Sequence, residues 1–173
     1  FVQALHGALR EDPDVIMVGE MRDAETMSLA LTAAATGQLV FGTLHTMSAT
    51  QTVDRILDSF DGERQMQVRL MLSESLRCVL AQRLLKRRDG SGRALALEVL
   101  MGNQAVSSLI RERKTFQLSS VIQTGRKEGM QTMDEAVMNL VRGGIVSPEM
   151  AAAHILNREL LRGAPGEAGM MAA

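Results

Sequence analysis

Tryptophan and tyrosine are missing from the 173 residues, and only four phenylalanines are present. That scarcity excludes sites built by stacking bases on aromatic platforms, the usual device for gripping single-stranded nucleic acid. A single cysteine, Cys78, permits neither an internal disulfide framework nor a multi-cysteine zinc site. An excess of charge of either sign is also lacking: 19 Lys plus Arg stand against 20 Asp plus Glu, for a formal net charge of −1. No global field therefore draws the chain to nucleic acid or to anionic lipid. No apolar run approaches the roughly 20 residues of a membrane span, and no secretory signal is read at the start. The expected location is the cytoplasm, without direct membrane insertion.

The residues present are those of a globular chain, 46% apolar and 23% charged, and about 150 residues is the usual measure of one domain. The 13 methionines read as flexible core filler. Phe1, Leu5 and Leu9 recur at helical spacing with no cap in front of them, and Asp12-Pro13-Asp14 marks a turn, with Pro13 ending the helix. Val15-Ile16-Met17-Val18 is a short apolar run without alternation, the pattern of a strand buried on both faces of a parallel sheet. Asp23 is placed to cap a helix from Ala24 to Thr36, and Gly37 stands where a helix C-cap takes a left-handed residue. Residues 39–44 read as a second buried strand, which ends at His45. Ser48-Ala49-Thr50-Gln51 then fits the capping box of the next helix.

This order places two titratable groups together. Strands joined by a crossover helix run parallel, so Glu20 and His45 both fall just past carboxyl ends, the edge where open α/β sheets bind ligands. A carboxylate after a buried strand suits nucleotide hydrolysis, where it polarises the attacking water or holds Mg²⁺. Spacing alone admits two plainer readings: Glu20 as a solvated carboxylate paired to Arg22, and His45 as a strand-end histidine bonded to backbone.

Beyond Glu63 the pattern is mostly helical. Residues 65–80 carry Met66, Leu70, Leu76 and Leu80 at helix-like intervals. Arg83, Lys86, Arg87 and Arg88 read as a charged loop beside a turn at Asp89-Gly90, and residues 93–101 as a strand with Leu95, Leu97 and Val99 on one face. Asn103, Thr115, Thr132 and Ser147 punctuate four short helices; Thr132 to Glu135 is a capping box, and Ser147-Pro148 is an N-cap followed by proline at the first helical position. The tail over 163–173 has no periodicity and reads as disordered.

The stretch from Ala8 to Asp23, ALREDPDVIMVGEMRD, closely resembles the Walker B region of the secretion ATPases that drive type II secretion and type IV pili. Leu31 to Thr46, LTAAATGQLVFGTLHT, resembles the His box of the same superfamily. The likeness continues through Val53-Asp54-Arg55-Ile56, Gln82-Arg83-Leu84, and Gly129 to Asp134, reaching about Met150. It is best to the pilus retraction ATPases, the PilT family: Gln82-Arg83-Leu84 runs into Lys86-Arg87-Arg88 with no trace of the tetracysteine zinc module common in extension and type II secretion ATPases.

The resemblance implies an α/β chain, the C-terminal half of a RecA-like P-loop NTPase core over 1–101 followed by a helical C-terminal region over 102–162. It makes Glu20 the catalytic carboxylate, holding Mg²⁺ through water, and His45 the second histidine of the His box. Arg22 and Thr43 are the implied contacts to ATP. Gln38 stands where the family usually has the other histidine, and Ser107 and Ser108 replace an Arg and an Asn in a helix linked to retraction. No GxxxxGK[ST] occurs among the 173 residues, so the phosphate-cradling loop is expected in an upstream part of a longer enzyme. The implied whole is a homo-hexameric motor using ATP and Mg²⁺, without zinc or nucleic acid. It would sit at the inner membrane against the pilus platform protein. An accessory pilus or type II secretion ATPase and a non-catalytic assembly module are the alternatives.

Overall fold

The computed structural model describes residues 2–161; Phe1 and the 163–173 tail expected to be disordered lie outside the described residues. Two units form, 2–78 with 102–121, and 79–101 with 122–161.

In the first unit the expected strand-helix-strand order is present. Helix α1 (Val2–Leu9) leads to strand β1 (Val15–Val18), helix α2 (Ala24–Ala35), strand β2 (Leu39–Gly42), helix α3 (Ala49–Asp58) and helix α4 (Gly62–Ser75). Each helix start has a physical cause. Asp23 accepts the Thr26 N–H at 2.7 Å and the Thr26 hydroxyl at 3.0 Å, satisfying donors that the first turn leaves open. Ser48 accepts from the Gln51 N–H, while the Gln51 side chain reaches back one residue further than a capping box does, to the Met47 N–H at 3.1 Å. Gly37 takes φ of 113°, which lets the chain leave α2 and enter β2.

Strands β1 and β2 pair in parallel, with Val15 opposite Leu39 and Val18 opposite Gly42. Ile16 and Val18 pack against Ala30 and Ala33 of α2. Burial on both faces, expected from the unbroken apolar run, is not what the strand shows. Val15 is 54% exposed, Met17 76% and Phe41 54%, because α2 covers only the face that carries Ile16 and Val18. The α4 helix ends at Ser75, short of the expected Leu80. Helix α5 (Gln104–Arg111) returns to this unit, capped by Asn103 on the Val106 N–H. The Arg69 guanidinium on α4 donates to the Ile110 carbonyl at 3.0 Å. The helix containing Ser107 and Ser108 therefore forms despite those replacements.

In the second unit, strands β3 (Cys78–Lys86) and β4 (Arg93–Met101) make a two-stranded hairpin. This corrects both the helix expected through Leu80 and the charged loop expected over 83–88: Arg83 and Lys86 lie on β3, and only Arg87 and Arg88 precede the turn. The physical reason is period two. Val79, Ala81 and Leu85 fall on the buried face, and Arg83, on the same parity, is half-buried and donates to the His154 carbonyl at 2.8 Å. On β4 the buried residues are Ala94, Ala96 and Leu100, while Leu95 is on the exposed side.

Helix α6 (Leu118–Thr124) precedes helix α7 (Met133–Arg142), which begins at a complete Thr132–Glu135 capping box. Helix α8 (Pro148–Ala152) begins at Ser147 with Pro148 in its first turn. Val137, Val141, Val146 and Ile155 close over Leu85, Ala94 and Ala96 as the core of this unit. No helix among the described residues is long and apolar enough to cross a membrane.

Candidate functional site

Both strand exits of the first unit converge on one carboxylate. Glu20 lies two residues beyond the end of β1, and His45 three beyond the end of β2, so the parallel register brings them to one edge. His45 Nε2 stands 2.9 Å from Glu20 Oε1, and Arg22 Nε stands 2.5 Å from the same oxygen. Of the two plainer readings, the first is present, with Glu20 paired to Arg22, whereas His45 meets that same carboxylate in place of the expected backbone bond.

The three side chains differ in setting. Glu20 is 27% exposed, whereas Arg22 and His45 are 77% and 80% exposed. The carboxylate is therefore the anchored member, with two solvated partners laid over it. The Arg22 hydrogen bond, reinforced by the charges of Arg22 and His45, holds Glu20 below its ordinary value of 4.5 despite the opposing effect of desolvation. Glu20 in turn raises the Arg22 guanidinium. A carboxylate held low is ionised at neutral pH and is a weak base. Its aptitude is to accept a hydrogen bond from a water and align it, rather than to store the proton.

Both Arg22 and His45 approach Oε1, which leaves Oε2 to take a water or the hydration shell of a cation. Among the described residues no three of His, Cys, Asp and Glu are gathered as a metal-holding group. The donor set therefore fits Mg²⁺ held through water by one carboxylate, since that ion keeps several waters and takes the rest of its ligands from phosphates. It does not fit a site made wholly of protein ligands.

Thr43, expected as a nucleotide contact, directs its hydroxyl hydrogen to the Gly19 carbonyl. Its own carbonyl accepts the Met21 N–H at 3.0 Å. Sequence reasoning missed that bracket, although the parallel pairing of Val18 with Gly42 is the signal that would have placed Gly19 beside Thr43. Gln38, at the other end of β2, takes a 2.7 Å hydrogen bond from Thr36, at the opposite strand end from Glu20.

The pH dependence follows from the sign of the shift. Because the folded state lowers Glu20, its pairing with Arg22 contributes fully above 4.5, the ordinary value, and is lost as pH falls through the lower folded one. Amide and side-chain NMR signals of Glu20 and Arg22 are expected to report a closed pair at neutral pH, opening only on the acid side of 4.5. An opening between pH 5 and 7 that Glu20→Gln abolishes would contradict this.

Comparison with known proteins covers the segment that carries these residues. The model of the "Type II/IV secretion system protein" family matches residues 1–162. The "Twitching motility protein" of Neisseria gonorrhoeae is 59% identical over 160 residues, covering 92% of this chain and 42% of that protein. The "Type IV pilus retractation ATPase PilT" of Pseudomonas aeruginosa is 56% identical over 151 residues, covering 87% of this chain and 44% of that one. Among solved structures, that of the pilus retraction motor PilT with bound ADP superposes with a TM-score of 0.81 at 47% identity, over 91% of this chain and 44% of its own. The chain thus spans less than half the length of each of these relatives.

Proposed function

The chain belongs to the type II/IV secretion system protein family, and from that premise we propose that it is the hydrolytic portion of an ATP-driven motor for pilus retraction. The observation that carries the reading is the meeting of Glu20 and His45, from two parallel strand ends, at 2.9 Å. Glu20 aligns the water that attacks the γ-phosphate and would hold Mg²⁺ through a water; Arg22 fixes that carboxylate in direction. Mg²⁺, when bound, draws charge from the phosphates. His45, exposed beside the carboxylate, is free to turn toward the phosphate once nucleotide arrives.

The working form in this reading is a homo-hexamer at the cytoplasmic face of the inner membrane. Its closure on ATP and opening after hydrolysis act on the pilus platform protein. The names of the Pseudomonas relative and of the ADP-bound structure support the part of this reading that concerns an ATPase for pilus retraction.

The test is a chimera in which this chain replaces the matching segment of the gonococcal twitching motility protein, 59% identical over 160 residues. Restored ATP turnover together with restored twitching in a strain lacking that protein is the expected result. Turnover without twitching would move the assignment to an accessory ATPase, and neither would support an assembly module.

The chain on its own is expected to behave differently. With no GxxxxGK[ST] among its 173 residues, nothing in it cradles the phosphates. Phosphate release from Mg-ATP by the purified chain is expected to equal that of its own Glu20→Gln variant. Release above that level would show a phosphate grip of a different kind.

A further inference from the structure

The ladder between β1 and β2 ends at Val18 opposite Gly42, and Glu20 stands two residues further on. A carboxylate on a free strand exit would wander, because nothing in a two-residue extension fixes its backbone. Here the extension is held on both sides of Glu20 by one residue. The Thr43 hydroxyl donates to the Gly19 carbonyl, and the Thr43 carbonyl accepts the Met21 N–H at 3.0 Å. Gly19 precedes Glu20 and Met21 follows it, so the peptide carrying the carboxylate is pinned at each end.

The neighbouring side chain completes the bracket. Met21 lies over Gly42, so closely that a Cβ on Gly42 would come within 2.6 Å of the Met21 methyl carbon. Residues 19–21 are therefore fastened to residues 42 and 43 by two hydrogen bonds and one packing contact, all within the first unit.

We propose that Thr43 is a positioning residue for Glu20, clamping the backbone on both sides of it so that its carboxylate stays aimed at the reacting water. The inference rests on the reading of Glu20 as the hydrolytic carboxylate. The backbone carbonyl of residue 43 acts whatever the side chain, so the hydroxyl is the separable half of the clamp. Valine has nearly the same shape without the donor, and serine has the donor without the methyl.

In the chimera, Thr43→Val is expected to lower kcat about three- to tenfold, the rate equivalent of one neutral hydrogen bond, with KM for ATP unchanged. Thr43→Ser is expected to restore most of the loss. In the 173-residue chain itself, the NMR resonance of the Glu20 amide, which shares a peptide with the Gly19 carbonyl that the hydroxyl bonds, is expected to shift in Thr43→Val, while exchange within the β1–β2 ladder stays as it was.

Wild-type turnover in Thr43→Val beside an inactive Glu20→Gln would overturn the positioning role and leave the reading of Glu20 standing. Wild-type turnover in Glu20→Gln would instead overturn that reading. An unmoved Glu20 amide resonance, or a serine variant as slow as the valine, would also overturn the role of the hydroxyl.

Discussion

Glu20→Gln in the chimera is expected to bind ATP as the parent does and to lose about 10²- to 10⁴-fold in turnover, the range over which a positioned acid–base or water-orienting group contributes. Glutamine keeps the length and the planar end of the side chain, so packing at the strand exit is preserved. The charge is lost, and with it the ability of both oxygens to accept. Water aligned by an amide has one acceptor and one competing donor, and the donor faces the wrong way for a nucleophile whose proton must point at the protein. Stability is not the route of the loss. Arg22 and His45 are largely exposed, and pairs between solvated side chains contribute little to folding. The melting temperature of the variant is therefore expected to match the parent, which separates a chemical defect from an unfolded one. Nucleotide affinity measured by fluorescent ATP analogue, phosphate release and a melting curve together decide the matter. Turnover within threefold of the parent would remove Glu20 from the mechanism, and lost affinity with unchanged kcat would make it a binding residue.

The other members of the constellation grade downward from this. Arg22 lowers Glu20 by its hydrogen bond, yet it is 77% exposed; its contribution is orientation of a group already ionised. His45 approaches the same oxygen and is equally solvated.

What the sequence made legible follows from local chemistry. Asp23, Ser48, Asn103, Thr132 and Ser147 could be read as caps because each satisfies donors only three residues away. The placement of Glu20 and His45 on one edge was readable for a related reason: the crossover rule converts order along the chain into direction in space. Strand β3 was not readable. Its residues, Leu80, Ala81, Gln82, Arg83, Leu84 and Lys86, are good helix formers, and the leucines before them keep helical spacing. Only pairing with β4 makes period two the relevant one, so partner residues in the sequence overrode local propensity. The exposed face of β1 escaped for the opposite reason. An apolar run states that both faces can be buried, and whether a second layer covers Val15 and Met17 is decided by elements the run does not encode. The Thr43 clamp lay between these cases, since its hydroxyl reaches across 24 residues of chain and becomes visible only once the register is known.

The largest structural effect is expected at a residue without a side chain. Gly102, just past β4, donates its N–H to the Arg77 carbonyl at 2.7 Å. A Cβ built on it would lie 2.0 Å from the Leu76 carbonyl oxygen and 3.0 Å from the Leu76 carbonyl carbon. Both atoms are backbone, in a segment fixed by the end of α4 on one side and the start of β3 on the other. The Leu76 N–H itself closes onto the Leu72 carbonyl at 3.0 Å. No rotamer change relieves such a clash; either the two backbones separate and the Gly102–Arg77 bond breaks, or α4 frays. Gly102→Ala is expected to cost about 3 kcal/mol, the upper range for overpacking, and so to lower the melting temperature by roughly 6–12 °C for a chain of this size. Gly129→Ala is the matched comparison. Gly129 takes φ of 85°, but no atom lies within 4 Å of a Cβ there, so its penalty is conformational alone, about 1 kcal/mol. Thermal and urea melts of the two variants side by side distinguish close approach from backbone strain. If Gly102→Ala melts no lower than Gly129→Ala, the Leu76 carbonyl is free to move, and the approach of residue 102 to residues 76 and 77 is not a fixed feature of the fold.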